Sequence, residues 1–404
     1  MKIVIRFISL FLLVQPPLNG SGQTITRTPD STAAKPADTS NDSLIQVADS
    51  IRLAGANSGV MKSVHEAAES IRIVRGVPGM VYAVFSKDSI LDFGVLGYRV
   101  FKSKDPIEKN DRFNIGTNTA AFTAYIAAKL VEAGKINWNT QLLSVFPEFS
   151  KKAFPVYRSI RFQDLLSSRT RLPVFMEMKD WFRIPETRGD ISSRRRAFTH
   201  WILQQKPDME NFNQQKIIFS LAGYIVAASM MERVSGKTWE DLITEYIRKP
   251  LNISMRYSWP NRMDPTAPAG HWFQGGSFHS EDPDTWVKVH PVLYPGQGIS
   301  ISMPDYVKYM QANLSGLYGE RMALPKSAFE FLYFGLPDYS MGWNNGSYNG
   351  QSFAFHERIS LLFNCRTEIL KEKKRGIIVM CNSGERDGRG AVLDLTKLLE
   401  EKYF

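Results

Sequence analysis

The sequence predicts a mixed α/β fold whose sheet is completed by segments from both ends of the chain. Two strand-like runs, Met80–Ser86 and Ile90–Val95, flank the polar turn Lys87–Ser89 and predict a β-hairpin. Strand signals return only over residues 344–382, and helical patterns fill much of the region between. We therefore expect strands that are distant in sequence to lie in one sheet.

Length and composition indicate a globular protein with a large core. The chain has 404 residues, of which 43% are apolar and 22% are charged, and its formal net charge is +10. The basic runs Arg194–Arg196 and Lys371–Arg375 are short, and we interpret them as solvated faces. They do not form the continuous basic stripe, interleaved with aromatic residues, that nucleic-acid binding requires.

The N-terminus has the pattern of a secretory signal peptide over residues 1–22. Lys2 and Arg6 precede the apolar run Ile8–Val14, and small residues follow at Gly20–Gly22. The run is too short to span a bilayer, so we expect a periplasmic or secreted protein and not an integral membrane protein. An uncleaved anchor is the alternative. Residues 23–44 are predicted to be a disordered linker, and the folded domain is expected over 45–404.

Several further elements follow from local patterns. Apolar positions at Ile45, Val47, Ile51, Val64, Ala67 and Ile71 predict an early helix. The Ala-rich stretch Thr119–Ala133 predicts a helix that ends at Gly134. The last part of the chain is expected to contain strands at Ser352–Phe355, Ser360–Asn364 and Gly376–Cys381, and a helix at Gly390–Leu399.

The two cysteines, Cys365 and Cys381, lie in strand-like stretches joined by the polar segment Lys371–Arg375. They are therefore expected to face each other across a hairpin. Either a disulfide or two buried thiols would fit this placement.

A series of short matches, in a consistent order over residues 76–385, resembles the serine β-lactamase-related family. That family contains class C β-lactamases, low-molecular-weight penicillin-binding proteins and related esterases. The matching stretches are Gly76–Met80, Asp111–Gly116, Leu130–Ile136, Phe146–Glu148, Phe162–Pro173, Gly223–Lys237, Pro250–Leu251 and Pro295–Ser300.

The resemblance implies a β-lactamase/transpeptidase-like α+β fold. An antiparallel sheet flanked by helices would lie beside a mostly helical lobe, with the active site in the cleft between them. In this chain the sheet lobe would comprise about 45–110 and 310–404, and the helical lobe about 111–309.

The first catalytic motif of the family is S-x-x-K, in which a three-residue step places the nucleophile and its base on one helix face. The matching residues here are Thr117–Ala120. Thr117 keeps a hydroxyl, although its methyl group stiffens the side chain, whereas Ala120 has no nitrogen. Lys129 is two turns too far along the helix, and a register shifted to Thr119 would still lack the base.

The second motif is Y-x-N, and the matching residues are Phe219, Ser220 and Leu221. Phe219 lacks the phenol oxygen that relays protons, and Leu221 lacks the amide that orients substrate. Ser220 is either a substitute nucleophile or, more in keeping with its residue type, a helix cap.

The third motif, H/K-x-G, matches His356–Arg358, with Tyr348–Gly350 as a competing match. His356 is either a hydrogen-bonded structural histidine or a remnant of the catalytic machinery. Arg358 replaces the small glycine, and its long side chain is expected to fill or cap the cleft.

The family's His-Thr-Ser-Gly loop is replaced by Ser168–Arg171. Arg169 and Arg171 are expected beside the cleft, where they would favour an anionic ligand. With Asn118 and Ser220 they are the candidate ligand contacts.

A polar loop contains residue types that bind metals, but its spacings match no zinc motif. We therefore expect no metal and no cofactor. The residues are His271, His279, Glu281, Asp282, Asp284 and His290.

These losses favour a pseudoenzyme that binds a cell-wall fragment, a peptide or an envelope protein. One alternative is a serine-type hydrolase with a rearranged nucleophile, such as Thr117 or Ser220. The other is a structural envelope protein whose cleft has closed.

Overall fold

The computed structural model describes residues 63–404, except for 211–216, 263, 285–288, 321–322, 360–361 and 385. The signal peptide, the linker and the first half of the early helix lie outside these residues and stay predictions. All the described residues belong to one compact unit, Leu53–Phe404.

The main element is an antiparallel six-stranded sheet with the order β2-β1-β11-β10-β9-β8. Its strands are β1 (Gly79–Ser86), β2 (Ile90–Gly97), β8 (Asn344–Tyr348), β9 (Gln351–Ile359), β10 (Asn364–Leu370) and β11 (Arg375–Cys381). Met80 pairs with Cys381 and Ser86 with Arg375, so β1 lies directly against the last strand of the chain. The predicted hairpin and the pairing of distant segments are both confirmed.

The remaining strands form two smaller sheets. A three-stranded sheet has the order β3-β7-β4, and a two-stranded hairpin joins β5 to β6. The strands are β3 (Arg112–Asn114), β4 (Met255–Tyr257), β5 (His271–Gln274), β6 (Ser277–Ser280) and β7 (Ile299–Ser302).

The described part of the chain contains seven long helices. They are α1 (Val64–Val74), α2 (Thr119–Glu132), α3 (Ile191–Ile202), α4 (Leu221–Ser235), α5 (Met303–Leu317), α6 (Lys326–Phe334) and α7 (Arg386–Tyr403). Helices α1 and α7 cover one face of the sheet, and the larger core lies on the other face. None of the helices that the structure describes combines the length and the apolar composition that a bilayer crossing requires.

Shorter helical turns connect these elements. They are Gly116–Asn118, Leu142–Val145, Pro147–Phe149, Pro155–Tyr157, Phe162–Leu166, Met178–Trp181, Trp239–Ile243, Thr244–Arg248, Lys249–Leu251, Pro260–Arg262, Pro291–Leu293 and Tyr294–Gln297.

Strand β1 is apolar throughout because both of its faces are buried. Val81 and Phe85 point into the larger core, whereas Tyr82 and Val84 point toward the layer of α1 and α7. A strand buried on both sides reads as a continuous apolar run instead of an alternating one.

The strand predicted at Ser360–Asn364 is wrong in position, because β10 begins at Asn364. Leu362 and Phe363 lie in the preceding connection, where 6% and 0% of their surfaces are exposed. The apolar run therefore reflects burial in the core and not strand pairing.

Cys365 and Cys381 do not face each other, although the predicted hairpin between their strands is present. Cys365 pairs with Met380 and Cys381 with Asn364, and successive residues of a strand point to opposite faces. The two side chains therefore lie in different cores, and both cysteines are buried free thiols.

Candidate functional site

The position of the family nucleophile lies where β3 leads into α2. Gly116 has a φ of +52°, which glycine adopts without strain, and its N–H donates to Asn114 Oδ1 at 3.0 Å. This sharp turn places Thr117 at the base of α2, where only 1% of its surface is exposed. The Thr117 hydroxyl lies 3.1 Å from His356 Nε2.

His356, on β9, is held from its other side by the carbonyl of Gly342, which lies 2.7 Å from Nδ1. A carbonyl only accepts hydrogen bonds, so Nδ1 carries the proton and Nε2 accepts from the Thr117 hydroxyl. A hydroxyl, an imidazole and an orienting acceptor therefore form a chain, which is the arrangement that activates a nucleophile. The sequence gives no signal for this pair, because Thr117 and His356 are 239 residues apart.

The contact with Thr117 also decides between the two matches to the third motif. Tyr348–Gly350 forms the turn between β8 and β9, and positive φ values at Asn349 and Gly350 mark that turn. His356, by contrast, contacts the nucleophile position. The backbone of Arg358 pairs with Cys365, but its side chain lies outside the described residues, so its expected role in filling the cleft stays a prediction.

Ala120, at the position of the family's lysine, is fully buried. The turn at Gly342 approaches α2 so closely that a Cβ on this glycine would lie 3.0 Å from Ala121 Cα. Gly342 also has a φ of +83°, a second reason why glycine is required there. Position 120 therefore provides neither an amine nor the space for one.

Phe219 and Leu221, in the second motif, are packing residues. The Phe219 ring stacks on Tyr224 at 5.1 Å between centroids and meets the edge of His356 at 6.1 Å. Leu221 is fully buried in the first turn of α4. The phenol of Tyr224 is near this site, but it donates to Leu166 O at 2.5 Å, and burial raises its pKa well above the ordinary value. No phenolate is therefore available from Tyr224.

Ser220 is the N-cap of α4, since its Oγ accepts from Gly223 N at 3.2 Å. Its own N–H donates to Ser168 Oγ at 3.1 Å. The interpretation of Ser220 as a helix cap is confirmed, and these two bonds tie the replaced loop to the second motif.

Arg169 is held by backbone carbonyls, and the expectation that it makes the cleft cationic stays a prediction. Its guanidinium donates to Tyr339 O and Pro337 O, both at 2.6 Å, and to Ser167 O at 3.3 Å. Arg169 therefore fastens the loop to the segment before β8. The carbonyl of Arg171 accepts from Asp208 N at 2.9 Å, which holds the end of the loop.

Asn118 is also unsuited to ligand contact, because it is fully buried and its amide is already bonded. Nδ2 donates to Ile115 O and Cys365 O, and Oδ1 accepts from Tyr306 at 3.3 Å. The asparagine fastens the nucleophile turn to β10.

The polar loop residues have separate partners. His271 donates to Asn382 O at 2.7 Å, Glu281 lies 3.5 Å from Arg262, and His290 lies 3.1 Å from Arg194. Among the described residues, no group of three or more His, Cys, Asp or Glu side chains has a metal-binding arrangement.

Chemically, the site consists of one hydroxyl–imidazole pair within an aromatic shell. Phe219 and Trp343 both make T-shaped contacts with the His356 ring, with centroids 6.1 and 6.3 Å away. The pair has the geometry of a nucleophile and its base, but only 2% of His356 is exposed.

Comparisons with known proteins agree with this geometry. A family model described as Beta-lactamase matches residues 64–400. Unguisins hydrolase ungD of Aspergillus violaceofuscus is 22% identical over 375 residues, which cover 83% of this chain but only 64% of that protein. The chain thus spans less than two thirds of that relative's length.

Solved structures share the fold. The octameric penicillin-binding protein homologue from Pyrococcus abyssi has a TM-score of 0.64 and 20% identity, and the alignment covers 84% of this chain and 78% of that one. The class C beta lactamase from Rhodobacter sphaeroides has a TM-score of 0.61 and 15% identity, with 84% and 100% covered. On the family match over residues 64–400, this chain belongs to the beta-lactamase family.

Proposed function

We propose that this chain is an exported, non-hydrolysing member of the beta-lactamase family that binds a cell-envelope ligand or partner. The main support for a loss of hydrolysis is the burial of the nucleophile position. Only 1% of the surface of Thr117 and 2% of that of His356 are exposed. A reacting carbonyl must come within about 3–3.5 Å of a nucleophile. Solvent barely reaches this hydroxyl, and a substrate is far larger.

The substitutions at the other catalytic positions support the same conclusion. Ala120 and Phe219 supply neither the amine nor the phenol that the family uses, and both are buried. Removing one member of a coupled catalytic unit typically lowers the rate by several orders of magnitude. Here the amine and the phenol are both absent, and the side chains around Thr117 leave it almost no exposed surface.

One observation favours a second candidate, a hydrolase in which His356 serves as the base for Thr117. The 3.1 Å contact and the 2.7 Å anchor to Gly342 give the pair the geometry of an activated nucleophile. This function requires the aromatic shell around Phe219 to open.

Covalent labelling separates the two candidates. The native chain is incubated with a fluorophosphonate and with a fluorescent penicillin, beside Thr117→Val, which keeps the shape of the side chain and removes the hydroxyl. We expect no adduct above the Thr117→Val background, as read by intact mass. An adduct that is present in the native chain and lost in both Thr117→Val and His356→Ala would overturn the proposal and establish the second candidate.

A further inference from the structure

A polar cavity of about 210 Å³ lies beside the three-stranded sheet, outside the site of Thr117. Two of its arginines come from neighbouring positions on that sheet. Arg112 on β3 pairs with Ser302, and Arg256 on β4 pairs with Ser300. Residues two apart in a strand share a face, as do directly opposed residues, so both guanidinium groups project from the same face.

The third arginine of the cavity is neutralised. Arg99 Nε lies 2.8 Å from Asp111 Oδ2, and Nη2 lies 3.0 Å from Asp111 Oδ1 and 3.1 Å from Glu108. Arg99 thus binds Asp111 through two hydrogen bonds and also contacts Glu108. Neither carboxylate forms an ion pair with Arg112 or Arg256.

Arg112 and Arg256 form no ion pair with any described residue. Arg112 donates to Ser254 Oγ at 3.0 Å, but its Nε is buried without a hydrogen-bond partner. The side chain of Arg256 makes no hydrogen bond within the described part of the chain. The remaining carboxylate of the cavity, Asp264, is within electrostatic range of Arg256 but accepts its hydrogen bonds from Thr266, at 3.1 Å from the N–H and 2.7 Å from the hydroxyl.

The two arginines therefore repel each other in a partly buried setting. Burial lowers the pKa of Arg112, and the charge of Arg256 lowers it further, whereas Asp305 and Asp264 oppose the effect. A buried donor without a partner and two adjacent cations both cost free energy. An anion between the guanidinium groups would remove the repulsion.

We propose that Arg112 and Arg256 bind a compact oxyanion, a phosphate or carboxylate group, in this cavity. Guanidinium groups bind both anions through paired charge-assisted hydrogen bonds. Asp264 also lines the cavity, so its carboxylate disfavours a large or highly charged anion. The inference concerns a binding site separate from Thr117, so it stands or fails independently of the proposed loss of hydrolysis.

The test measures binding of inorganic phosphate and of acetate by calorimetry at constant ionic strength, with sodium chloride as the reference anion. We expect saturable binding of at least one of the two, and a loss of at least about tenfold in Arg256→Gln and in Arg112→Gln. Arg188→Gln removes the same charge from an exposed position outside the cavity and should bind like the native chain. The absence of saturable binding of either anion, or equal binding by Arg256→Gln, would overturn the proposal.

A second measurement distinguishes a ligand site from a structural role. In buffer free of phosphate and carboxylate, Arg256→Gln should unfold at the same temperature as the native chain or at a higher one, because it relieves repulsion. Added phosphate should raise the unfolding temperature of the native chain only. A clear fall in the stability of Arg256→Gln without the anion would mean that the arginine is structural, and would refute the inference.

Discussion

Replacing Arg195 should destabilise the fold far more than replacing Arg196, although the two are adjacent in α3. Arg195 is fully buried and lies 2.5 Å from both Glu232 and Glu240, and it also donates to Pro291 O at 3.1 Å. Removing the arginine leaves two carboxylates without a counter-charge, one of them only 4% exposed. Breaking a buried ion pair in this way costs about 3–5 kcal/mol.

Arg196 is the matched control. Its guanidinium pairs with Glu148 at 2.7 Å, but the two side chains are 49% and 34% exposed. Such a surface pair contributes about 0–1 kcal/mol. The expected difference between Arg195→Ala and Arg196→Ala is therefore about 2–5 kcal/mol in the free energy of unfolding.

The assay is urea unfolding followed by tryptophan fluorescence, with Arg195→Lys as a third variant that keeps the charge but cannot bridge both carboxylates. We expect Arg195→Lys to lie between the other two. If Arg195→Ala unfolds at the same urea concentration as Arg196→Ala, with unchanged slopes, the reasoning from burial is refuted. If Arg195→Ala does not fold, the comparison of Arg195→Lys with Arg196→Ala decides the same question.

Two further predictions concern acid stability and export. His271 is neutral, since Nδ1 donates to Asn382 O and Nε2 accepts from Phe101 N, and burial lowers its pKa to about 4. The unfolded chain therefore binds more protons between about pH 6.5 and 4, so stability is complete above that window and falls as the pH drops through it. The urea midpoint should therefore depend less on pH in His271→Gln than in the native chain, whereas His279→Gln should behave like the native chain. The same pH dependence in all three proteins would contradict the assignment. For export, the mass of the protein recovered outside the cytoplasm should correspond to removal of about residues 1–22, and recovery of the full-length mass would contradict cleavage.

The sequence predicted the elements whose signals are local. The hairpin of β1 and β2, the helix that begins at Thr119 and the capping role of Ser220 each depend on residues a few positions apart. The ordered family matches then supplied the topology, which local patterns alone do not determine. For this reason Phe219 and Leu221 could be matched to the second motif even though they lack its polar groups.

Features that depend on long-range contacts were missed or misread. The run Arg194–Arg196 was interpreted as a solvated face. The carboxylates that accept hydrogen bonds from Arg195, however, lie 37 and 45 residues away in sequence. Thr117 and His356 are 239 residues apart, and nothing near either one indicates their contact. The guanidinium of Arg169 is held by carbonyls that follow it by 168 and 170 residues, and no local pattern in the sequence indicates these bonds.

The closed centre also explains why these particular substitutions occur together. A buried polar group without a partner costs about 1–3 kcal/mol, so a sealed catalytic site that kept its lysine, tyrosine and asparagine would be penalised three times. Ala120, Phe219 and Leu221 remove those groups, and each is buried with apolar atoms only. Thr117 and His356 keep polar side chains and bond to each other, and the carbonyl of Gly342 accepts the remaining ring N–H. Restoring Phe219 to tyrosine alone would therefore bury an additional hydroxyl instead of restoring a proton relay, because the amine at position 120 would still be missing.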